Sequence, residues 1–381
     1  MGRPYRMVLL DRHRAIKFLE DVGIVDGEAL LARDPLIFIN TLIGSFMTHL
    51  PFQCVSLMAQ TVEERHVPSL EEVVEAGLSL EGGICFTLNV FMGILLRTFG
   101  FHVQFLDGSY SASKDHHTHI VLLVKDLRSP EDDHFIDVGG GHPFLAAVAV
   151  DSLPVTFHQA GLKYTYCRRG DLVLRFHHEN RNPETGQDVV AKEGRQVFHF
   201  SLNPVDFEDI RSNMDKVYVY EERSVCLQGI RAVRFPPADE IQTEDIGIIG
   251  TDTNEKSLDN KQNLNEEIEK TSMNKRDSGK KSFEENDKDD FQPTSGARAM
   301  NVETKDKNLG KELEARKSAE LSDDRIMVAM KDQSLLLGRV DAATKTKVCN
   351  EKWTATLKNL FPTIPPAKVN LAVLKMIQKQ S

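Results

Sequence analysis

The chain has 381 residues, with 57 acidic side chains against 47 basic ones and a formal net charge of −10. That balance argues against a general nucleic-acid binder, which would show a basic face, and no stretch approaches the roughly 18 consecutive apolar residues of a membrane-spanning helix. Five cysteines, at positions 54, 85, 167, 226 and 349, form no Cys-x-x-Cys pair and no disulfide framework, so reduced thiols in a cytoplasmic protein are expected. The apolar stretch Met7 to Leu10 is too short for a signal peptide, and Arg6 stands where a myristoylation signal has Ser or Thr.

Residues 14 to 105 read as mostly helical. Ala15, Phe18, Leu19 and Val22 form one short apolar face. Leu36 to His49 carries a wider one, and Pro51 ends it. Ser69-Leu70-Glu71-Glu72 has the pattern of a capping box. Glu81-Gly82-Gly83-Ile84-Cys85 then opens a helix with Phe86, Val90, Ile94, Leu95 and Phe99 on one face, stopped at Gly100.

From Phe101 to Phe200 the pattern turns to short strands separated by turn residues: 102–106, 120–124, 135–138, 164–166, 172–176 and 197–200. This predicts a barrel-like all-β domain. Val205 to Asn213 reads as a polar connection, and Val217 to Tyr220 and Ser224 to Leu227 read as strands. From about residue 238 to 324 the chain is rich in Asp, Glu, Lys, Asn and Ser, and it has too little apolar surface to offset the entropy of ordering it. Beyond it, Ile326 to Met330 and Ser334 to Leu337 read as strands, and Glu351 to Phe361 as a helix stopped by Pro362.

The chemistry concentrates at Cys85. It falls in the first turn of its helix, where backbone N–H groups without helical partners and the macrodipole favour a negative group such as a thiolate. A buried cysteine at a helix start is, on its own, an ordinary core residue. Downstream residues change that reading. His116, His117 and His119 precede the apolar run Ile120 to Val124, and Phe135 to Val138 forms the next strand with Asp137 at its end. Pairing these strands brings His119 towards Asp137, and Cys, His and Asp in that order make a plausible triad. The histidine cluster also invites a zinc reading, but no partner cluster completes a ligand set, and no metal is expected. His158, His177 and His178 need no special role.

Four ordered blocks resemble the arylamine N-acetyltransferase family. Gly82-Gly83-Ile84-Cys85, with Phe86 and Asn89 behind it, is similar to the family's Arg-Gly-Gly-aromatic-Cys signature. Pro51-Phe52-Gln53 is similar to its Pro-Phe-Glu segment, His119 with its apolar run to the catalytic-histidine strand, and Asp137 to Gly141 to the Asp-Ala-Gly-Phe-Gly turn. The resemblance covers about residues 14 to 235 and resumes more faintly after residue 324. It implies acetyl transfer from acetyl-coenzyme A, a co-substrate rather than a bound cofactor, to an arylamine, arylhydrazine or heterocyclic amine. The reaction would run by ping-pong kinetics through a thioester on Cys85, with His119 as base and Asp137 as its orienter. Such an enzyme is expected to be a cytoplasmic monomer of xenobiotic metabolism. The resemblance further puts Gly140, His142 and Phe52 at the acceptor and His116, His117 and Thr118 at the coenzyme.

The sequence also departs from the family. Glu81 stands in place of Arg and Gln53 in place of Glu, so a Gln53–Glu81 hydrogen bond is expected where the family has an ion pair. Gly140 replaces an aromatic. The same triad would suit a cysteine hydrolase, and the departures would suit a family member kept as a binding module. The fold expected is α+β: a helical bundle over residues 1–105 carrying the nucleophile, and a β-barrel-like domain over 106–204 carrying His119 and Asp137. A C-terminal α/β lid follows, over 205–237 and 325–381, interrupted by a disordered insertion over 238–324, all around a core like that of the cysteine proteases.

Overall fold

The apolar run after Cys85 is so dense that it leaves no face for solvent. In the computed structural model this run is helix α6, Cys85–Thr98, and every residue from Cys85 to Leu96 is buried. The structure describes residues 10–111, 113, 115–159, 162–178, 194–235, 326–331, 334–338, 346–348 and 352–379, all within the compact unit Met1–Thr243 with Ser318–Ser381.

Helices α1, α3 and α5 pack on α6 and α2 packs on α3, and local chemistry sets the helix ends. Asp11 caps α1, Arg12–Asp21, by accepting from the His13 and Arg14 amides, and α2 is Gly27–Arg33. Asp34 caps α3, Pro35–His49, whose proline sits in the first turn where no amide is needed. The short strand β1, Phe52–Gln53, leads into α4, Val55–Ala59. Ser69 and Glu72 form the complete capping box of α5, Leu70–Leu78. Phe18 and Phe46 pack on Phe91 of α6, with ring centroids 5.1 and 6.1 Å away.

An eight-stranded antiparallel sheet covers the other side of α6. It comprises β2 (His102–Tyr110), β3 (His119–Lys125), β4 (His134–Ile136), β5 (Val148–Ala149), β6 (Val155–Gln159), β7 (Leu162–Arg169), β8 (Leu172–His177) and β9 (Arg195–Ser201). The order is β5-β4-β3-β2-β9-β8-β7-β6. Among the described residues β5 and β6 stay unpaired on their outer edges, so the expected barrel is an open half-barrel. Strand β3 reads as a continuous apolar run because both its faces are covered. On one of them, Gly93 of α6 leaves room for Leu122, which a Cβ would approach to 3.3 Å.

A second sheet joins distant segments. Its order is β1, β10 (Arg231–Arg234), β11 (Ile326–Lys331), β12 (Ser334–Gly338) and β13 (Thr346–Val348). Strands β10 and β11 pair antiparallel, Arg231 opposite Ala329, so the flanks of the long charged segment meet. That segment, expected to be disordered, lies outside the described residues, as does Cys349.

The stretch 205–228 differs from the sequence expectation. Its polar connection holds helix α7, Phe207–Asn213, and its two expected strands are the short helices α8, Asp215–Tyr218, and α9, Val225–Gln228. Tertiary burial overrides the local alternation. Met214 and Tyr218, four residues apart, are both buried, and Phe207 packs its ring on Phe86 and Phe105 at 5.8 and 5.4 Å. The chain closes with α10, Trp353–Leu360, and an unanticipated helix α11, Pro366–Gln378, that packs on α4. No helix among the described residues is long and apolar enough to cross a membrane.

Candidate active site

The loop before Cys85 is shaped by its glycines. Gly82 has φ +74°, and a Cβ there would lie 2.1 Å from the Pro51 carbonyl oxygen. The Gly83 amide donates to that oxygen at 3.2 Å, and the Gly83 carbonyl accepts from Gln53 at 2.9 Å. Two backbones therefore approach more closely than any side chain would permit. Ile84 is the N-cap of α6 and makes no side-chain cap; the first helical bond runs from Leu88 to the Ile84 carbonyl. Cys85 thus occupies the first helical position, buried, with its sulfur 3.8 Å from the Thr118 carbonyl oxygen.

His119 opens β3 opposite Gly108 of β2. Its Nε2 bonds Asp137 Oδ2 at 2.9 Å, and both side chains are buried. With Nε2 engaged by the carboxylate, Nδ1 is the nitrogen left to exchange a proton; it is buried and bonds no nitrogen or oxygen. Burial alone would lower the pKa of His119. The charge and hydrogen bond of Asp137, together with Cys85, outweigh it and push the ring up to about 10. Burial likewise opposes ionisation of Asp137, yet His119 and Asn89 hold it below its usual range, with Arg175 contributing.

Asn89 is the residue whose role the sequence did not disclose. One turn beyond Cys85 on α6, it is fully buried. Its Nδ2 donates to Asp137 Oδ1 at 2.9 Å and to the Ile120 carbonyl at 2.7 Å, and its Oδ1 accepts the Val138 amide at 2.9 Å. The nucleophile helix, the histidine strand and the aspartate turn are fastened by one amide. A Cβ on Gly139 would sit 2.7 Å from Asn89 Nδ2 and 2.8 Å from Cys85 Cα, so only glycine fits there. The signal was present: an amide side chain in the middle of an otherwise apolar helix face.

Tyr110 and Arg175 were also missed. The Tyr110 hydroxyl donates to the Gly140 carbonyl at 3.1 Å, and its ring lies edge-on to His119 at 5.0 Å. Arg175 is 1% exposed. Its partners are neutral: His177 Nε2 and the Tyr166 hydroxyl at 2.9 Å, the Pro143 carbonyl at 3.3 Å, and the face of Tyr164 at 3.8 Å. Arg175 and His119 both pack on Phe198, at 6.0 and 5.4 Å from its centroid, which sets this guanidinium near the acidic end of the site.

The remaining predicted residues are more dispersed. Phe52 lies beside Gly141, which has φ +63° and whose Cβ would come within 3.2 Å of the Phe52 ring. Gly140 faces Asp137 and Tyr110; a Cβ there would meet Asp137 Oδ2 at 3.2 Å and the Tyr110 hydroxyl at 3.3 Å. His142 packs edge-on to His177 at 4.7 Å. His116 is exposed, and the exposed His117 bonds Asp107 at 2.5 Å through its Nδ1. Thr118 is buried, with its carbonyl towards Cys85.

The expected Gln53–Glu81 hydrogen bond is made to the backbone: Gln53 Nε2 donates to the Glu81 carbonyl at 3.4 Å. The two side chains are linked through Ser56, with Gln53 Nε2 donating to Ser56 Oγ at 2.8 Å and Ser56 Oγ donating to Glu81 Oε1 at 2.6 Å. The Glu81 carboxylate is not isolated beside the thiol, because Lys368 of α11 pairs with it at 2.5 Å. A cavity of about 690 Å³ lies alongside, bounded by Gln60, Glu64, His66, Glu81 and Lys368. Its walls include Gly82, Gly83 and Ile84 but not Cys85.

A buried Cys–His–Asp constellation at a helix start, between a helical bundle and a half-barrel, belongs to the acyl-transfer class of arrangements. The family model described as N-acetyltransferase matches residues 36–273. The chain belongs to this family, the arylamine N-acetyltransferases, and is an acyltransferase enzyme. No curated protein matches the sequence. Among solved structures, the chain is similar to the arylamine N-acetyltransferase from Mycobacterium abscessus, with 13% identity, 99% of each chain covered and a TM-score of 0.59. The Mycobacterium marinum enzyme in complex with CoA matches at 14% identity over 94% of this chain and 98% of that one, with a TM-score of 0.56. Arylamine N-acetyltransferase C from Bacillus anthracis matches at 12% identity over 94% and 100%, with a TM-score of 0.55. At these identities the likeness is one of fold.

Proposed function

We propose that the enzyme moves an acetyl group from acetyl-coenzyme A to an arylamine, arylhydrazine or heterocyclic amine through a thioester on Cys85. The observation that carries this reading is the buried His119–Asp137 hydrogen bond beside a cysteine in the first turn of α6. A protein of the same fold in complex with CoA supports the donor.

In the first half-reaction His119 Nδ1 takes the Cys85 proton and the sulfur attacks the acetyl carbonyl. Free amides at the start of α6 favour the negative charge that develops. The intermediate collapses, the carbon–sulfur bond to coenzyme A breaks, and the departing thiolate takes the proton back from His119. In the second half the amine attacks the Cys85 thioester, His119 accepts the amine proton, and Cys85 leaves as the thiol. Asp137 holds the ring with Nε2 protonated in both halves and stabilises the imidazolium. Phe52, Gly140 and His142 then belong to the acceptor side, and His116, His117 and Thr118 to the coenzyme side. On the same reading residues 1–105 bear the nucleophile, 106–204 the base and its orienter, and 205–237 with 325–381 a third domain.

Steady-state kinetics with both substrates varied test this. Parallel reciprocal plots are expected, and His119→Gln should lower kcat by about 10³–10⁴-fold. Intersecting plots would point to direct transfer without a covalent intermediate. Release of acetate in place of the acetylated amine would put the protein among hydrolases.

A further inference from the structure

One arginine is enclosed in the half-barrel without an acid. Among the described residues Arg175 of β8 is the only lysine or arginine that is buried. Its hydrogen bonds, to His177 Nε2, the Tyr166 hydroxyl and the Pro143 carbonyl, all end on neutral acceptors. Aromatic faces hold such a side chain well, with Tyr164 at 3.8 Å and Tyr166 at 5.3 Å. A buried charge without a counter-ion is nevertheless costly, and the register shows where its counter-ion lies.

Across four strands Tyr166 lies opposite Arg175, Arg175 opposite Phe198, and Phe198 opposite Tyr110. Cross-strand partners share a face of the sheet, and two strand spacings, roughly 10 Å, separate Arg175 from Tyr110. At the end of this row the Tyr110 ring meets His119 at 5.0 Å, and its hydroxyl bonds the Gly140 carbonyl at 3.1 Å. Gly140 lies against Asp137, whose Oδ2 a Cβ there would meet at 3.2 Å. Arg175 itself holds the far end of that turn, at the Pro143 carbonyl.

The site needs such a cation. Asp137 and Glu81 are the buried carboxylates among the described residues, and Lys368 neutralises Glu81. Asp137 bonds only His119 among titratable groups, and on the thioester reading that ring gains and loses a proton. Wherever the proton sits, the three groups together carry one negative charge. This holds for thiol, neutral ring and carboxylate, and for thiolate, imidazolium and carboxylate. It holds again for the tetrahedral adduct with an imidazolium, and for the acyl-enzyme with a neutral ring.

We propose that Arg175 is a positioning residue for acetyl transfer, the fixed counter-charge of Cys85, His119 and Asp137 throughout the reaction. The proposal rests on the thioester reading of Cys85. Its distance from Asp137 has a use: Oδ2 stays with His119 and Oδ1 with Asn89 and the Gly139 amide, bonds that a direct guanidinium pair would compete for. Tyr164, Tyr166 and His177 face Arg175, with His142 against His177, and His119 and Tyr110 stand at the Asp137 end. None of these is a permanent cation.

The test follows acetylation of Cys85 by acetyl-coenzyme A, without amine, as a function of pH in the full chain. Across roughly 10 Å at an effective dielectric of about 20, one charge alters a neighbouring ionisation on the order of tenfold. Arg175→Gln should therefore move the acid limb of the rate profile up by about one pH unit, because the three groups then bind an extra proton more readily. Arg175→Lys keeps a charge on that limb and should restore most of the shift, although both variants lose the forked hydrogen bonds and some Tm. An unmoved limb in folded Arg175→Gln, or a shift that lysine does not restore, would overturn the proposal.

Urea unfolding of Arg175→Gln, Asp137→Asn and the double variant gives a second reading that needs no activity. Counter-charges predict a combined loss smaller than the sum of the single losses, and a double variant that folds even where Arg175→Gln alone does not. Strict additivity, or failure of both to fold, would overturn the inference. An absence of acetyl on Cys85 in the native chain would remove the thioester reading instead, and the unfolding cycle would still decide whether Arg175 balances Asp137.

Discussion

Lys368, on the last helix, holds the Glu81 carboxylate at 2.5 Å, and Glu81 sits in the loop that turns into Cys85. The relationship explains a departure that looked damaging in the sequence. A buried acid next to a nucleophilic sulfur disfavours a thiolate, but here a cation from α11 neutralises it, and Ser56 accommodates the same oxygen.

Removing that cation by Lys368→Met should destabilise the fold by about 1 kcal/mol, since Lys368 is 41% exposed and solvent screens the pair. Glu81→Gln in the same chain should recover most of the loss. Urea unfolding of the four proteins of this cycle checks it, and strictly additive effects would mean the pair contributes no coupling.

Asn89→Ala takes a buried partner from the Ile120 carbonyl, the Val138 amide and Asp137 Oδ1, the last of which keeps the Gly139 amide at 3.2 Å. Each buried group left without a partner costs about 1–3 kcal/mol, so a clear fall in Tm is expected. Acetyl transfer should fall further than stability accounts for, because Asp137 is no longer aimed. Wild-type kcat in a chain that unfolds earlier would show that Asn89 only supports the fold.

The His119–Asp137 pair makes stability depend on pH with a definite sign. His119 is raised from an ordinary 6.5 to about 10, so the protonated ring stabilises the fold fully below about pH 6.5 and ceases to do so as the pH rises through about 10. In Cys85→Ala, where Tyr110 is kept protonated by burial and His119 loses the part of its rise that Cys85 supplies, the Tm advantage of Asp137 over Asp137→Asn should shrink as the pH rises above about 6.5, and over a narrower range than in the native chain. A constant advantage would mean that the folded histidine is neutral throughout.

Gly140 carries the prediction about acceptors. With no side chain there, small anilines should bind weakly, seen as a high KM. Gly140 does not adopt a positive φ, but a Cβ would press on Asp137 and on the Tyr110 hydroxyl. Gly140→Phe alone should therefore lower kcat. In a Tyr110→Ala background it should lower the KM for small anilines and exclude larger amines, since an aromatic contact contributes about 1 kcal/mol. An unchanged acceptor profile in the folded double variant would place residue 140 outside the pocket.

The grouping of Cys85, His119 and Asp137 was legible because each borders a strong local signal. Cys85 precedes a dense apolar helix, His119 a continuous apolar strand, and Asp137 a run of glycines, and antiparallel pairing of two adjacent strands does the rest. The joining of β10 to β11 across the charged segment was legible for the same reason, as apolar runs on both flanks needed a partner. Lys368 was not, because nothing local marks an exposed lysine that pairs across most of the chain. Tyr110 and Arg175 were hidden by strand alternation, which says which face a residue takes but not what lies opposite it. Val217 to Tyr220 misled because four alternating residues fit a strand as well as a helical turn, and only the burial of Met214 and Tyr218 decides between them.

Nucleophilic catalysis by Cys85 is tested most directly by trapping the acyl-enzyme. The full chain is mixed with acetyl-coenzyme A without an amine, quenched in acid, digested, and mapped by mass spectrometry. One acetyl group on the peptide containing Cys85 is expected, absent from Cys85→Ala and discharged within a turnover when aniline is added. Acetylation of another residue with Cys85 free, or turnover to acetylaniline that survives Cys85→Ala, would contradict it.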